Sequence, residues 1–437
     1  MGEASGKAAS IRPWFRSAYA SLTRSTRLLG LVGLAASCFL RPEPAPAVSL
    51  HGFVQGNYAL DSAASNPDGR DSKLLEERGQ LKLEADQGPL RLFVKTDLAW
   101  DHLADEEELE LREGTVDYGA AKWDCRLGRQ VVTWGLGDLV FINDVFPKDY
   151  EAFFAGRPLE YLKQGVDGVR FGLYPGFASF ELIAIPQFTA NHFPDANRFW
   201  LFDPLPGVSN RQTEEPGSSL DRPEIALRAY RDLAGLDLSL YGYHGFYRQP
   251  AIRLDAPLAP TRLTLWYPEL TVLGGSLQGG VLGGVLSLET GLYASGDDQA
   301  GDNPLIPNSQ TRFLVGYQRQ YWEDFTVGLQ YYGERMLGYG AYRASLPPGM
   351  PSEERLHDLV SVRLTQLLRH QTVKLSLFAF WGLSSADYLL NPEAKVNLTD
   401  QVWVALGANL FGGGEPWSQF GQLDRNDAMY LQSRYEF

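Results

Sequence analysis

Apolar and polar residues alternate with a period of two over long stretches of the chain. From Leu90 to Trp100 one face carries Leu90, Leu92, Val94, Leu98 and Trp100, and the other carries Arg91, Lys95 and Asp97. The same dyad runs through Val373, Leu375, Leu377, Ala379 and Trp381 against Lys374 and Ser376. It returns at Val402, Val404, Leu406, Ala408 and Leu410 against Gln401 and Asn409. Ile225, Leu227 and Ala229 stand against Glu224 and Arg228, and Phe325, Val327, Leu329 and Tyr331 against Thr326, Gln330 and Glu334. Successive strand side chains point to opposite faces, so each run predicts a strand with one apolar and one polar side. A soluble sandwich needs the same pattern, and the spacing of the turns separates the two.

Very short connections fall near Gly88-Pro89, Ala120-Ala121, Pro175-Gly176, Leu233-Ala234, Gly279-Gly280, Glu323-Asp324, Arg369-His370 and Asp400. Longer polar loops fall between them, near 61–75, 101–108, 135–165, 188–221, 248–262, 296–309, 336–355, 384–386 and 413–426. Strict alternation of tight turn and long loop is the asymmetry of a transmembrane β-barrel. Two strands per unit predict about 18 strands, and 16 also fit.

The ends of the chain agree. Lys7, Arg12, Arg16, Arg24 and Arg27 precede an apolar stretch, Leu28 to Leu40. That stretch is shorter than the ~20 residues a helix needs to span a bilayer. Ala45-Pro46-Ala47 follows as a small-x-small cleavage site, so residues 1–47 read as a signal peptide and Val48 as the mature start. Cys38 lies in a loosely lipoprotein-like context with Ala35 where a larger aliphatic is usual. If Cys38 leaves with the signal, Cys125 is the only mature cysteine and no intrachain disulfide forms. No later segment is long enough for a transmembrane helix, so a membrane-spanning chain must close its sheet. The last segment, DAMYLQSRYEF, puts Met429, Leu431, Ser433, Tyr435 and Phe437 on one face. It resembles the terminal signal read by the barrel-assembly machinery. The first strand, about Leu50 to Leu60, is expected to pair with it and remove both sheet edges. Trp100, Trp123, Tyr174, Tyr321, Trp322 and Trp381 suit interfacial girdles. The fold class expected is all-β: a transmembrane antiparallel β-barrel occupying 48–437, in the outer membrane of a Gram-negative bacterium.

Charge narrows the partners. The chain carries −14. Removing the six Lys and Arg and the two Glu of residues 1–47 leaves 33 basic and 51 acidic residues, a balance of −18. That sign is wrong for a protein that tracks phosphates, so no nucleic acid is expected. It fits acidic loops or a cation-tolerant lumen.

The segment 111–135, LREGTVDYGAAKWDCRLGRQVVTWG, resembles one found in porin-like outer-membrane barrels, including the alginate-export-like barrels. The matching pieces are Leu111-Arg112-Glu113, Val116-Asp117, Leu127-Gly128-Arg129-Gln130 and Trp134-Gly135. The alginate-export members have an arginine-rich lumen, from which this acidic chain departs. The resemblance implies a porin-like channel for passive passage of small solutes, without a cofactor. Two other classes stay open: a scaffold barrel enclosing a periplasmic partner, and a barrel hydrolase. Membrane lipid, lipopolysaccharide and the barrel-assembly machinery are the expected partners, with homo-oligomerisation left open.

Pore-lining candidates come from two places. In the strand near 122–134, Trp123, Cys125 and Leu127 should face lipid, and Lys122, Asp124, Arg126 and Gln130 the lumen. Arg129 has the wrong parity for the lumen. Either a bulge at Gly128 turns it inward or it lies above the hydrocarbon layer; a guanidinium facing lipid at mid-depth costs roughly 2–4 kcal/mol, so Arg129 is expected to line the pore. The third long loop, Leu136 to Gly165, is too apolar for a free surface loop, with Leu139, Phe141, Ile142, Val145, Phe146, Phe153 and Phe154 needing burial. Short helices are expected at Tyr150–Phe154 and Pro158–Lys163. If this loop folds into the barrel, Asp144, Lys148, Asp149, Glu151, Arg157 and Glu160 line a constriction; packing on the rim is the other placement. The run Gly296–Asn303 is oxygen-rich but lacks EF-hand spacing, and Glu106-Glu107-Glu108 reads as a solvated turn. The histidines are scattered, without a His-Glu-x-x-His pair or a Gly-x-Ser-x-Gly elbow. No catalytic, cofactor-binding or metal residue is therefore assigned. His51 and His244 are expected on the pore wall or the girdle.

Overall fold

The computed structural model describes residues 47–62, 69–196, 198–203, 205–217, 222–256, 259–347 and 352–437. The expected signal segment and Cys38 lie outside them. The wall begins with β1 (Ala47–Asp61), β2 (Ser72–Gln87), β3 (Leu90–Asp101), β4 (Glu106–Gly119), β5 (Trp123–Gln130), β6 (Val166–Leu173) and β7 (Ser179–Ile185). β8 (Asn210–Glu214) leaves it, and β9 (Glu224–Leu233) and β10 (Leu236–Phe246) rejoin it. β11 (Ala251–Leu254) and β12 (Arg262–Trp266) again stand apart. The wall continues through β13 (Glu269–Val281), β14 (Gly284–Ser295), β15 (Gln310–Trp322), β16 (Phe325–Met336) and β17 (Leu356–Leu368). It ends with β18 (Val373–Gly382), β19 (Asp387–Asn397), β20 (Val402–Gly413) and β21 (Ala428–Glu436). Each wall strand pairs antiparallel with the next, and β1 pairs with β21, closing an 18-stranded barrel. Closure leaves no unpaired sheet edge in the membrane.

Alternation sorts the side chains as expected. On β21, Tyr430 and Gln432 are buried inside while Met429, Leu431 and Tyr435 are exposed outside. Leu240 and Leu273 are 59% and 60% exposed on the outer face, an arrangement stable only where the solvent there is lipid. Trp123 and Trp322 stand at the tight-turn rim, and Trp100 and Trp381 at the loop rim, giving two girdles. Tyr174 departs from the girdle reading: it bends over Gly172, which has no side chain to block it, and donates to Asp124. Phe437 lies across Gly52, whose missing Cβ makes room for the ring, and exchanges both backbone bonds with it at 3.0 and 2.9 Å.

Tight turns and long loops alternate around the barrel. One turn sits three residues later than expected, at Leu282-Gly283, where both residues have positive φ (50° and 75°). This conformation suits the right-handed twist of a two-residue hairpin. Gly279 serves another purpose, since a Cβ there would meet Leu236 Cδ2 at 2.3 Å. The alternation also did not reveal a three-stranded sheet in the fourth and fifth long loops, where β12 lies between β11 and a parallel β8.

Candidate functional site

The third long loop, residues 131–165, folds into the barrel. Its apolar residues Val140, Ile142, Val145, Phe146 and Phe154 join one buried cluster with inward wall residues such as Tyr241, Val272, Leu314, Phe378 and Phe411. Helix α1 (Tyr150–Phe154) forms where expected, capped by Asp149, whose side chain accepts from Ala152 N at 2.7 Å. A 3-10 turn follows at Leu159–Leu162.

Polar contacts hold the loop to the wall on opposite sides of the lumen. On β14, Glu289 accepts Leu136 N at 2.7 Å and both the backbone N and Nδ2 of Asn143 at 2.9 Å. Tyr293 donates to the Ile142 carbonyl. Side chains at Gly274 and Gly291 would strike Asn143 and Ile142, so these inward glycines are the niche into which the loop fits. Further round, Asp138 N donates to Gln330 at 3.1 Å, and the Asp138 carboxylate takes Arg363 through two guanidinium nitrogens.

Across the lumen, Asn409 donates to the carbonyls of Phe153 and Phe154 at 3.1 and 2.9 Å, and Gln432 to that of Gly156 at 2.6 Å. Arg157 reaches the buried Glu76 at 2.5 Å. Glu76 also meets Arg78 at 3.0 Å, and Arg78 meets Asp97 at 2.9 Å. The Tyr161 hydroxyl donates to Asp97 at 2.8 Å, and its ring is stacked 4.7 Å from the guanidiniums of both Arg78 and Arg112. Arg112 is the extra residue of a bulge in β4, opposite the Lys95/Thr96 step of β3. The bulge turns it inward to the carbonyls of Glu160 and Lys163, at 3.1 and 3.0 Å.

The expected pore-lining residues fall into three groups. Lys148, Asp144 and Glu151 are buried within the loop and its neighbours. Lys148 Nζ lies 2.8 Å from Asp144 and donates to the Phe146 carbonyl at 2.7 Å. Burial pushes its ammonium below the ordinary value, against the pull of Asp144. Glu151 pairs with Arg198 of the fourth loop at 3.0 Å, and Asp149 with His192 at 3.1 Å. That hydrogen bond, stronger in effect than burial, raises His192 to about 9. Arg157 and Glu160 face the wall, Glu160 lying 2.5 Å from Arg434. On β5, Arg126 points inward and pairs with Asp117, and Gln130 lies buried over Gly128 and Gly168.

Arg129 keeps the outward parity of Leu127 and pairs with Asp167 at 3.2 Å. The inward turn expected of it does not occur, because the bulge lies one strand away, at Arg112. Both charges sit at the loop-side ends of β5 and β6, strands of eight residues each, and neutralise each other there.

Alternation places Gln330 and Asn409 on the polar faces of their strands, but it does not mark Glu289, Gln330, Arg363, Asn409 or Gln432 as anchors of the loop. The available signal was glycine at inward positions such as Gly274 and Gly291, where alternation otherwise supplies a side chain. In the loop Gly296–Asn303, Asp298 accepts the backbone N–H groups of Gly301, Asp302 and Asn303 at 3.0, 3.2 and 3.0 Å, so its carboxylate closes its own turn. Among the described residues no three metal-ligating side chains converge. His51 lies on the inner face and His244 on the outer, beside Thr271 at 3.0 Å.

A closed 18-stranded barrel with an apolar outer belt, two aromatic girdles and a folded-in third loop defines an outer-membrane β-barrel of porin architecture. Solved outer-membrane porins share that fold. OccD3 (OpdP) of Pseudomonas aeruginosa aligns at a TM-score of 0.52 and 12% identity, covering 90% of this chain and 91% of that one. OccAB3 of Acinetobacter baumannii gives 0.55 and 10%, covering 89% and 99%. OccK2 (OpdF) of P. aeruginosa, solved in complex with glucuronate, gives 0.55 and 10%, covering 89% and 98%. No protein-family model and no curated protein sequence matches the chain.

Proposed function

We propose that this protein is a constricted outer-membrane channel for passive passage of small hydrophilic solutes. The observation that carries the reading is the third loop, which crosses the lumen and is fastened to opposite walls by buried hydrogen bonds and ion pairs. A partition held that way narrows the barrel permanently, so size and charge at the remaining gap set what passes. In this reading Asp144, Lys148, Asp149, Glu151, Arg157 and Glu160 shape the constriction by fixing the loop. Leu139, Tyr150 and Phe153, which are only partly buried, edge the gap. Arg126 belongs to the wall's charge ladder. A lumen filled by the chain's own loop leaves little room for a second protein, which weighs against a scaffold. The barrel's outer face contacts lipid; contacts with lipopolysaccharide and the assembly machinery, cleavage after Ala47 and homo-oligomerisation belong to the proposal.

Conductance of the refolded 48–437 chain in a planar bilayer tests the reading. Discrete steps in KCl are expected. A folded, inserted barrel that stays silent would overturn it and favour the scaffold or enzyme reading.

A further inference from the structure

On the tight-turn side of the third loop the lumen holds a cavity of about 270 Å³, between the Leu136–Asp138 turn and β13–β17. It falls just below the roughly 300–1,000 Å³ of drug-sized ligand sites and suits one small ring. Its lining differs from the rest of the wall. Between β2 and β7 inward charges pair across strands, as in Arg91–Glu84 at 2.7 Å and Arg170–Asp124 at 3.3 Å. The cavity instead presents neutral amides and hydroxyls, among them Gln318, Gln330, Thr326, Ser361 and Thr365.

These groups are free to bind. Among the described residues no protein hydrogen bond engages the side chains of Gln318, Thr326, Ser361 or Thr365. Gln330 spends only its oxygen, on Asp138 N at 3.1 Å. Gly316 and Gly328 line the same wall without side chains, which leaves the floor open. The charged lining residues are Arg363 and Asp138, and they are joined to each other through both carboxylate oxygens. The guanidinium that would hold an anion is therefore already occupied by a carboxylate, and the pair adds no net charge.

We propose that this cavity is a binding subsite for neutral, hydroxyl-rich solutes of monosaccharide size, resting on the channel reading above. Amides and hydroxyls both donate and accept, as solute hydroxyls do. Where a charged analogue replaces a hydroxyl, a carboxylate offers only acceptors and an ammonium only donors, so at that position part of the lining stays unpaired in a partly desolvated space.

The test compares three solutes with the same ring, namely glucose, glucuronate and glucosamine. Each is added to the tight-turn side of the refolded barrel while KCl current is recorded. Binding is read in parallel by saturation-transfer NMR on the protein in detergent. The KCl steps report the channel reading, and the NMR signal reports the subsite whether or not the barrel conducts. Glucose is expected to bind and to reduce the current more strongly than either charged analogue. Gln318→Ala combined with Thr326→Ala should weaken glucose by about fivefold or more, the loss of two neutral hydrogen-bonding groups. Retained heat-modifiable gel mobility shows that this variant folds. Asp138→Asn leaves the Arg363 charge without its neutralising carboxylate and should shift the preference towards glucuronate. Equal or stronger binding of glucuronate or glucosamine to the unmodified protein would overturn the proposal, as would undiminished glucose binding in the double variant.

Discussion

Glu289 gathers three donors of the third loop onto one buried carboxylate, so its removal leaves the backbone N–H groups of Leu136 and Asn143 unpaired and Asn143 Nδ2 with the Thr290 carbonyl alone, at 3.2 Å. Each buried donor left without a partner costs about 1–3 kcal/mol. Glu289→Ala should therefore loosen residues 136–143 while the barrel stays closed, seen as faster amide exchange there and noisier open-channel current. Glu289→Gln keeps an acceptor and should lie between the two. His192 offers a second test. Its folded pKa is raised from 6.5 to about 9, so its grip on Asp149 is fully present below pH 6.5 and is lost as pH rises through about 9. Amide exchange in residues 149–155 should accelerate beyond the chemical base rate over that range. His192→Gln should remove the step.

At the scale of elements, the third loop combines a five-residue helix and a 3-10 turn that are too short to hold themselves. Their stability comes from the apolar cluster and the wall contacts. Replacing 141–160 with a short Gly-Ser linker should leave the strands intact and raise single-channel conductance several-fold, since barrel width is set by strand number and shear, not by the loop. Unchanged conductance would mean that the narrowest point lies elsewhere. The β4 bulge is the other decisive element. Its extra residue is Arg112 itself, so deleting Arg112 would restore an unbroken ladder and cost Tyr161 one of its two guanidinium faces.

For the whole molecule, net charge and lumen charge are different quantities. The chain is acidic overall, yet many inward charges on the wall meet a partner, as in Arg126–Asp117, Lys82–Glu84 and Lys374–Glu393. Paired ladders present little net field to a permeating ion. A KCl gradient across the refolded channel should thus give a reversal potential close to zero. A strongly cation-selective potential would show that unpaired acidic groups dominate the path. Closure is equally a property of the whole: β1 and β21 pair through Phe53–Asp61, and a chain ending before Ala428 should fail to insert as a protease-resistant barrel.

What the sequence by itself determined is what depends on neighbours along the chain. The two-residue period placed the inward and outward faces, as Met429/Leu431 against Tyr430/Gln432 show. The alternation of tight turns and long loops carried the strand number, and the apolar third loop announced its own burial. The Gly279-Gly280 turn was misplaced because glycine serves tight turns and close contacts alike, and only the packing of Leu236 tells them apart. What the tertiary structure alone decided is which distant residues meet. Glu289 and Asn143, or Asn409 and Phe154, come together because the closed sheet brings strands far apart in sequence around one lumen. Arg129 stayed outward because the bulge formed in the neighbouring strand. The cavity beneath the loop exists because five strands and a folded-in turn each contribute polar side chains to one space, and no local pattern records that convergence.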